Sequence, residues 1–272
     1  MVGDSTERDV RGNTMSDSRF RQWFEYLGKL HGRRVEWSQL IRHIINEELS
    51  QLRSDGTPYV SEVFIDRDRD AYRHQDHPKQ DREDVSVQRL YRVIHERYEG
   101  QLQVDDFPVW LISYAVPNQS AEGHRCADLL GLKLDGSLVV FECKVEDNYC
   151  DSPFRAVFEG LDYLGHLLVP ANTEKLITGF DRWREKPRNE DVLSKIPPQF
   201  RDVTVNPDAR HALIVLAPKS YFSFHKKDAK GNPQDWHLLS DRKWKETALS
   251  VGLDFATTDT DFTSADCPLL EL

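Results

Sequence analysis

Three ionisable residues near the middle of the chain, Asp128, Glu142 and Lys144, stand among side chains that are otherwise apolar. Leu138, Val139, Val140 and Phe141 read as a strand buried on both faces, and this strand runs straight into Glu142 and Lys144. Side chains alternate along a strand, so Glu142 and Lys144 leave the same face. Asp128 lies on the preceding strand-like segment, between Ala127, Leu129 and Leu130. Either the second strand reaches solvent at Glu142 and makes an exposed ion pair with Lys144, or the three residues form a site.

The register of the hairpin separates these readings. Asp135 and Gly136 mark its turn. A two-residue loop pairs 134 with 137 and puts Asp128 on the opposite face from Glu142. A three-residue loop over 134–136, with Gly136 left-handed, pairs 133 with 137 and sets Asp128 directly across from Glu142. The glycine stands where the longer loop needs it. Two carboxylates about 4 Å apart repel by about 4 kcal/mol at an effective dielectric of about 20, so that register calls for a compensating cation. Oxygen-only ligands with open positions favour Mg2+ or Mn2+ over zinc. Lys144, one pleat along, is expected to lie over the path of a water beside that ion rather than in the core. Such a set suits phosphodiester hydrolysis.

The surrounding pattern predicts the elements that hold these residues. Helical spacing of Val87, Leu90, Tyr91, Ile94 and Tyr98 gives an amphipathic helix over 83–98. Strands are expected at 109–116, 126–134 and 138–145, a helix at about 153–168, a strand at 212–217, a helix near 241–250 and a strand near 253–258. This is an α/β plan with a mixed sheet. Ahead of it lie a tail lacking periodicity (1–17), a helical region (18–65) and a charge-dense linker (66–82), so the main domain is 83–272.

Arg125, Asp128, the glycine turn and the apolar run into Glu142 and Lys144 resemble the PD-(D/E)XK, or restriction-endonuclease-like, nuclease superfamily. The proline of that name is replaced by Ala127. The resemblance implies a core with a mixed central sheet flanked by helices, preceded here by a helical appendage. It implies Asp128 and Glu142 as metal ligands, the Cys143 backbone carbonyl as a third, and Lys144 serving the attacking water. Glu159 and Tyr163 look like the Gln/Glu-x-x-x-Tyr helix of the RecB-like branch; at this spacing they share a helical face, although Tyr163 is equally readable as a core aromatic. An additional acid from the first helix, as the superfamily often has, would be Glu83, which reads as well as a helix-start carboxylate favoured by the helix dipole. The implied activity is a metal-dependent nuclease acting on DNA more readily than RNA, in defence, restriction or repair. The alternative is a non-catalytic binding or scaffold module keeping the nuclease fold.

Other signals are weaker. Lys226, Lys227 and Lys230 follow Tyr221, Phe222 and Phe224, a basic-aromatic stretch able to contact phosphates and stack bases, or an ordinary solvated loop. Arg125 is a further phosphate contact; Arg182, Trp183, Arg184, Lys186 and Arg188 form a similar cluster. Cys126, Cys143 and Cys150 do not make a zinc site, since Cys143 points away from the face that Cys126 shares with Asp128. His74 and His77 belong to the charged linker. No Gly-x-Ser-x-Gly elbow, phosphate-binding loop or dinucleotide fingerprint is present.

The whole chain sets the outer bounds. Its 272 residues make one large domain or a medium domain with an appendage, and 39% hydrophobic content supports a full core. Thirty-six Lys and Arg against 46 Asp and Glu give a net charge of −10, which opposes indiscriminate coating of nucleic acid but leaves room for a local basic groove. The longest clean apolar run, Ala212 to Ala217, is far short of the roughly 20 residues that span a bilayer. The first fifteen residues carry no apolar stretch, and four cysteines are not a disulfide framework. A cytoplasmic protein without a membrane partner is expected, its N-terminal helices serving homo-oligomerisation or a protein partner.

Overall fold

The structure is a computed structural model describing residues 82–104, 107–117, 126–145, 153–185, 196–224, 253–258 and 269–271. The helical region and most of the linker expected before residue 82, and the helix expected at 241–250, lie outside the described residues. Helix α1 (Arg82–Tyr98) leads into β1 (Gln101–Val104), β2 (Phe107–Pro117), β3 (Cys126–Leu132) and β4 (Leu138–Cys143). Helices α2 (Pro153–Leu167) and α3 (Pro170–Glu185) follow, then β5 (Ala212–Pro218), the short α4 (Lys219–Phe224), β6 (Leu253–Thr258) and β7 (Leu269–Glu271). The seven strands form one sheet in chain order. β1 to β4 are antiparallel neighbours, β4–β5 and β5–β6 are parallel, and β7 returns antiparallel beside β6. The sheet curls, bringing β7 near β1. The class is α/β with a mixed sheet, as the pattern predicts.

Two apolar layers cover the faces of this sheet. On one, Val87, Leu90, Tyr91 and Ile94 of α1 join Leu102, Val109, Leu111, Tyr114 and Leu129 of β1 to β3 in a layer that extends to Val139, Phe141, Cys143, Ile214 and Leu216. On the other, Ala156, Val157, Leu161 and Leu164 of α2 meet Leu138, Val140, Leu213 and Val215. The alternation assigns each residue of β4 and β5 to one layer or the other, and burial on both sides explains their unbroken apolar runs. Tyr98, expected on the buried stripe, is 44% exposed. It ends α1, where Glu99 (φ 54°) and Gly100 (φ 77°) turn left-handed and Gly100 N–H donates to Ile94 O at 3.0 Å, so the stripe stops a turn earlier.

Helix α3 replaces what reads in sequence as a mixed, proline-bearing stretch. Pro170 is its first residue, where no backbone N–H is needed. Asn172 and Thr173 are buried and donate to the carbonyls of His166 and Leu167 at 2.8 and 2.9 Å, satisfying the C-terminal end of α2. Phe180 further along packs edge-on against Trp110 of β2. Among the described residues no helix is long and apolar enough to cross a membrane.

Candidate active site

The turn between β3 and β4 sets the site. Asp135 Oδ1 accepts from the backbone N–H and the hydroxyl of Ser137 at 2.9 and 2.6 Å. Gly136 is left-handed at φ 81° and donates to Lys133 O at 3.0 Å, while Lys133 N–H donates to Ser137 O at 2.9 Å. Residue 133 therefore faces 137, the three-residue register. The ladder continues through Leu132 opposite Leu138 to Leu129 opposite Phe141. One step further sets Asp128 across from Glu142.

There the ladder changes character. Cys143 N–H, which points toward β3, donates to Asp128 Oδ2 at 2.7 Å. Lys144 N–H points the other way and donates to Leu216 O of β5 at 2.9 Å. In an extended chain the N–H and C=O of one residue face the same neighbour. The Cys143 carbonyl thus leans toward the Asp128 side, while its thiol lies in the α1 layer.

Glu142 and Lys144 are each only 3% exposed, which removes the reading of an exposed ion pair at the end of the strand. It also corrects the expectation that Lys144 stands outside the core. The reason is α2, which lies across this end of β4. Gly160 permits its approach, since a Cβ there would sit 2.2 Å from a methyl of Leu213 on β5. The sequence signal of this close approach is a glycine inside an amphipathic helix. The Lys144 ammonium lies 2.8 Å from Glu142 Oε1 and 3.3 Å from Glu159 Oε2, tying β4 to α2. Tyr163, one turn beyond Glu159, is buried in the same layer at 8% exposure.

Burial holds the Glu142 carboxyl well above the ordinary carboxylate range; Lys144 draws it back, and Asp128 and Glu159 push it further up. Burial likewise raises the Tyr163 phenol, and Glu142, Asp128 and Glu159 add to this against Lys144, so the phenol stays protonated at neutral pH. Glu142 Oε2 is buried without a hydrogen-bond partner. Such an atom costs free energy unless something completes it. Among the described residues no three His, Cys, Asp or Glu side chains gather as a metal cage. The donors on hand are the two carboxylates, one with an orphaned oxygen, and the Cys143 carbonyl. That set fits a hard divalent cation that keeps most of its other positions for water and substrate.

The remaining candidates sit on an element of the opposite sheet face or lie outside the described residues. Helix α1, which carries Glu83, packs on the opposite face of the sheet, and the Glu83 side chain lies outside the described residues. Arg125, Lys186, Arg188, Lys226, Lys227, Lys230, His74, His77 and Cys150 lie outside them too, as do the side chains of Cys126, Arg182, Trp183 and Arg184. Tyr221 and Phe222 belong neither to a base-stacking platform nor to a solvated loop, since α4 turns both into the core and leaves Phe224 as the exposed aromatic of the three. No family model matches the chain, and no curated protein or solved structure matches it either.

Proposed function

We propose that this protein is a divalent-metal-dependent nuclease hydrolysing phosphodiester bonds, most readily in DNA, on a restriction-endonuclease-like core. The observation that carries the reading is Glu142 Oε2, a buried carboxylate oxygen without a partner, on the strand position opposite Asp128. The order helix α1, four antiparallel strands β1 to β4, helices α2 and α3, and the parallel strand β5 is the arrangement that supports the core. Asp128, Glu142 and the Cys143 carbonyl would hold Mg2+ or Mn2+. When bound, the cation supplies charge neutralisation at a phosphoryl oxygen and acidifies a water. Lys144 would help to orient the attacking water, and the neutral Tyr163 hydroxyl would offer a hydrogen bond to a phosphate oxygen. The net charge of −10 makes substrate contact a local affair of basic segments such as Lys226 and Lys227 rather than of the whole surface.

Plasmid and oligonucleotide substrates incubated with Mg2+, Mn2+ or EDTA test this directly. Cleavage is expected with either metal and lost with EDTA and in Asp128→Asn. Nucleic-acid binding without cleavage under every condition would instead identify a non-catalytic module built on the same fold.

A further inference from the structure

Lys144 touches two carboxylates on different elements, and the two are not equivalent. Glu142 on β4 is almost fully buried, whereas the Glu159 side chain on α2 is 23% exposed. A partly exposed carboxylate keeps its charge in water at little cost, and a buried one does not. The ammonium accordingly sits closer to Glu142, at 2.8 Å, than to Glu159, at 3.3 Å. It still meets only one oxygen of Glu142, because Oε2 is left without a partner. A divalent cation at Asp128 and Glu142 would bring a second positive charge to a carboxylate that already holds one, and the two cations repel. Glu159, already in contact, is where the ammonium can go without losing a counter-ion.

We propose that Glu159 is a positioning residue that takes up the Lys144 ammonium when a divalent cation occupies Asp128 and Glu142. Lys144 is then the placeholder cation of the metal-free site, and Glu159 governs how readily the metal enters. The inference rests on the nuclease reading above and adds to it an exchange of counter-ions. The shift is small, since both contacts exist before any metal arrives, and it keeps the ammonium beside the site.

The test is Mn2+ binding by titration calorimetry on the full chain, in wild type, Glu159→Gln, Lys144→Met and the double variant. Glu159→Gln should weaken Mn2+ binding by about tenfold, within the usual range of coupling between two linked sites. Lys144→Met should strengthen binding, because the competitor is gone. In the Lys144→Met background Glu159→Gln should have no effect, since the ammonium through which it acts is missing. An equal loss in both backgrounds would make Glu159 a direct electrostatic contributor and overturn the proposal, as would unchanged affinity in Glu159→Gln. Should Lys144→Met fail to fold, a crystal structure of the wild type with Mn2+ decides instead. The ammonium nearer Glu159 supports the exchange, and the ammonium still on Glu142 beside the ion overturns it. Wild type that binds no Mn2+, or binds it equally after Asp128→Asn, defeats the nuclease reading and this inference together. Binding that depends on Asp128 but not on Glu159 defeats the inference alone.

Discussion

Asp128 Oδ2 accepts the backbone N–H of Cys143 at 2.7 Å, so the carboxylate facing Glu142 is itself fastened to the strand that carries Glu142. The bond replaces a ladder hydrogen bond with a charged side chain and fixes the orientation of Asp128 without any cation.

Asp128→Asn retains an oxygen for the Cys143 N–H and removes the charge facing Glu142. Metal-free stability should therefore stay within about 1 kcal/mol of wild type, because the bond to the Cys143 N–H need not be lost. Stabilisation by millimolar Mn2+, which follows from binding the native state alone, should vanish. Urea melts with and without Mn2+ read both quantities. A large metal-free loss would mean that the carboxylate serves the fold rather than a cation.

Removing Lys144 uncovers a buried charge. Lys144→Met should destabilise by about 3–5 kcal/mol near neutral pH, the usual scale when one partner of a buried pair is deleted. Burial raises the folded-state pKa of Glu142 above its ordinary 4.5. A carboxyl raised in this way contributes stability below its unfolded pKa and loses it as pH rises through the folded value. The deficit of Lys144→Met should therefore shrink as pH falls through the folded-state pKa of Glu142 toward its ordinary value. Denaturant midpoints across that range check the sign, and a deficit indifferent to pH would assign the loss to packing.

Tyr163 belongs both to the apolar layer and to the wall of the site. Tyr163→Ala should cost about 3–5 kcal/mol, as emptying a core aromatic site does. Tyr163→Phe keeps the ring and should change stability by no more than about 1 kcal/mol, while cleavage falls because the phenol is lost. Unchanged cleavage in Tyr163→Phe would leave Tyr163 as packing, and the resemblance to the RecB-like branch would lose its support.

How much of this was legible in the sequence depends on what each feature required. The hairpin register could be narrowed to two, since Gly136 suits the left-handed position of a three-residue loop and the second position of a two-residue one alike. The α1 stripe could be read because four large side chains recur at helical spacing over an unbroken turn pattern. Helix α3 was obscured because two of its buried positions, Asn172 and Thr173, are polar and work as caps for α2. The burial of Lys144 depends on how closely α2 approaches β5, a distance set by Gly160 against Leu213, which no pattern within either segment reports. β1 and β7, four and three residues long, are too short for alternation to stand out. Tyr221 and Phe222 precede lysines in sequence, but a short helix at the end of β5 turns them into the core.

His95 gives the fold a pH dependence away from the site. Its Nε2–H donates to Leu111 O at 2.9 Å, its Nδ1 is buried without a partner, and its ring packs tilted against Tyr91 with centroids 4.3 Å apart. Burial lowers its pKa from 6.5 to about 4, with the Leu111 bond opposing. The unfolded chain therefore binds a proton that the folded chain refuses between these values. Stability from His95 is present above about 6.5 and is lost as pH falls toward about 4. His95→Gln keeps a donor for Leu111 O but cannot titrate. Its stability should fall less steeply over that interval in urea melts, and a slope equal to wild type would place the acid sensitivity elsewhere.

Gly136 links the turn to the chemistry. At φ 81° an L side chain is strained, and a Cβ would lie 2.5 Å from Thr204 O and 2.9 Å from the Asn206 side chain. The same loop is held by Asn206 N–H donating to Gly136 O at 2.9 Å, so it cannot retreat freely. Gly136→Ala should cost about 1–2 kcal/mol for the left-handed backbone, with the clash added to it. A turn that escapes by shortening moves the register by one residue and turns Asp128 to the other face, away from Glu142. Mn2+ stabilisation should then disappear from a molecule that is still folded. Gly136→Asn separates the two causes, since asparagine tolerates the left-handed region but meets the same neighbours. The difference in stability between the variants measures the backbone cost, and their shared loss measures the clash. If both retain full Mn2+ stabilisation, the pairing of Asp128 with Glu142 does not depend on this glycine, and the register must be held from the β5 side of the sheet.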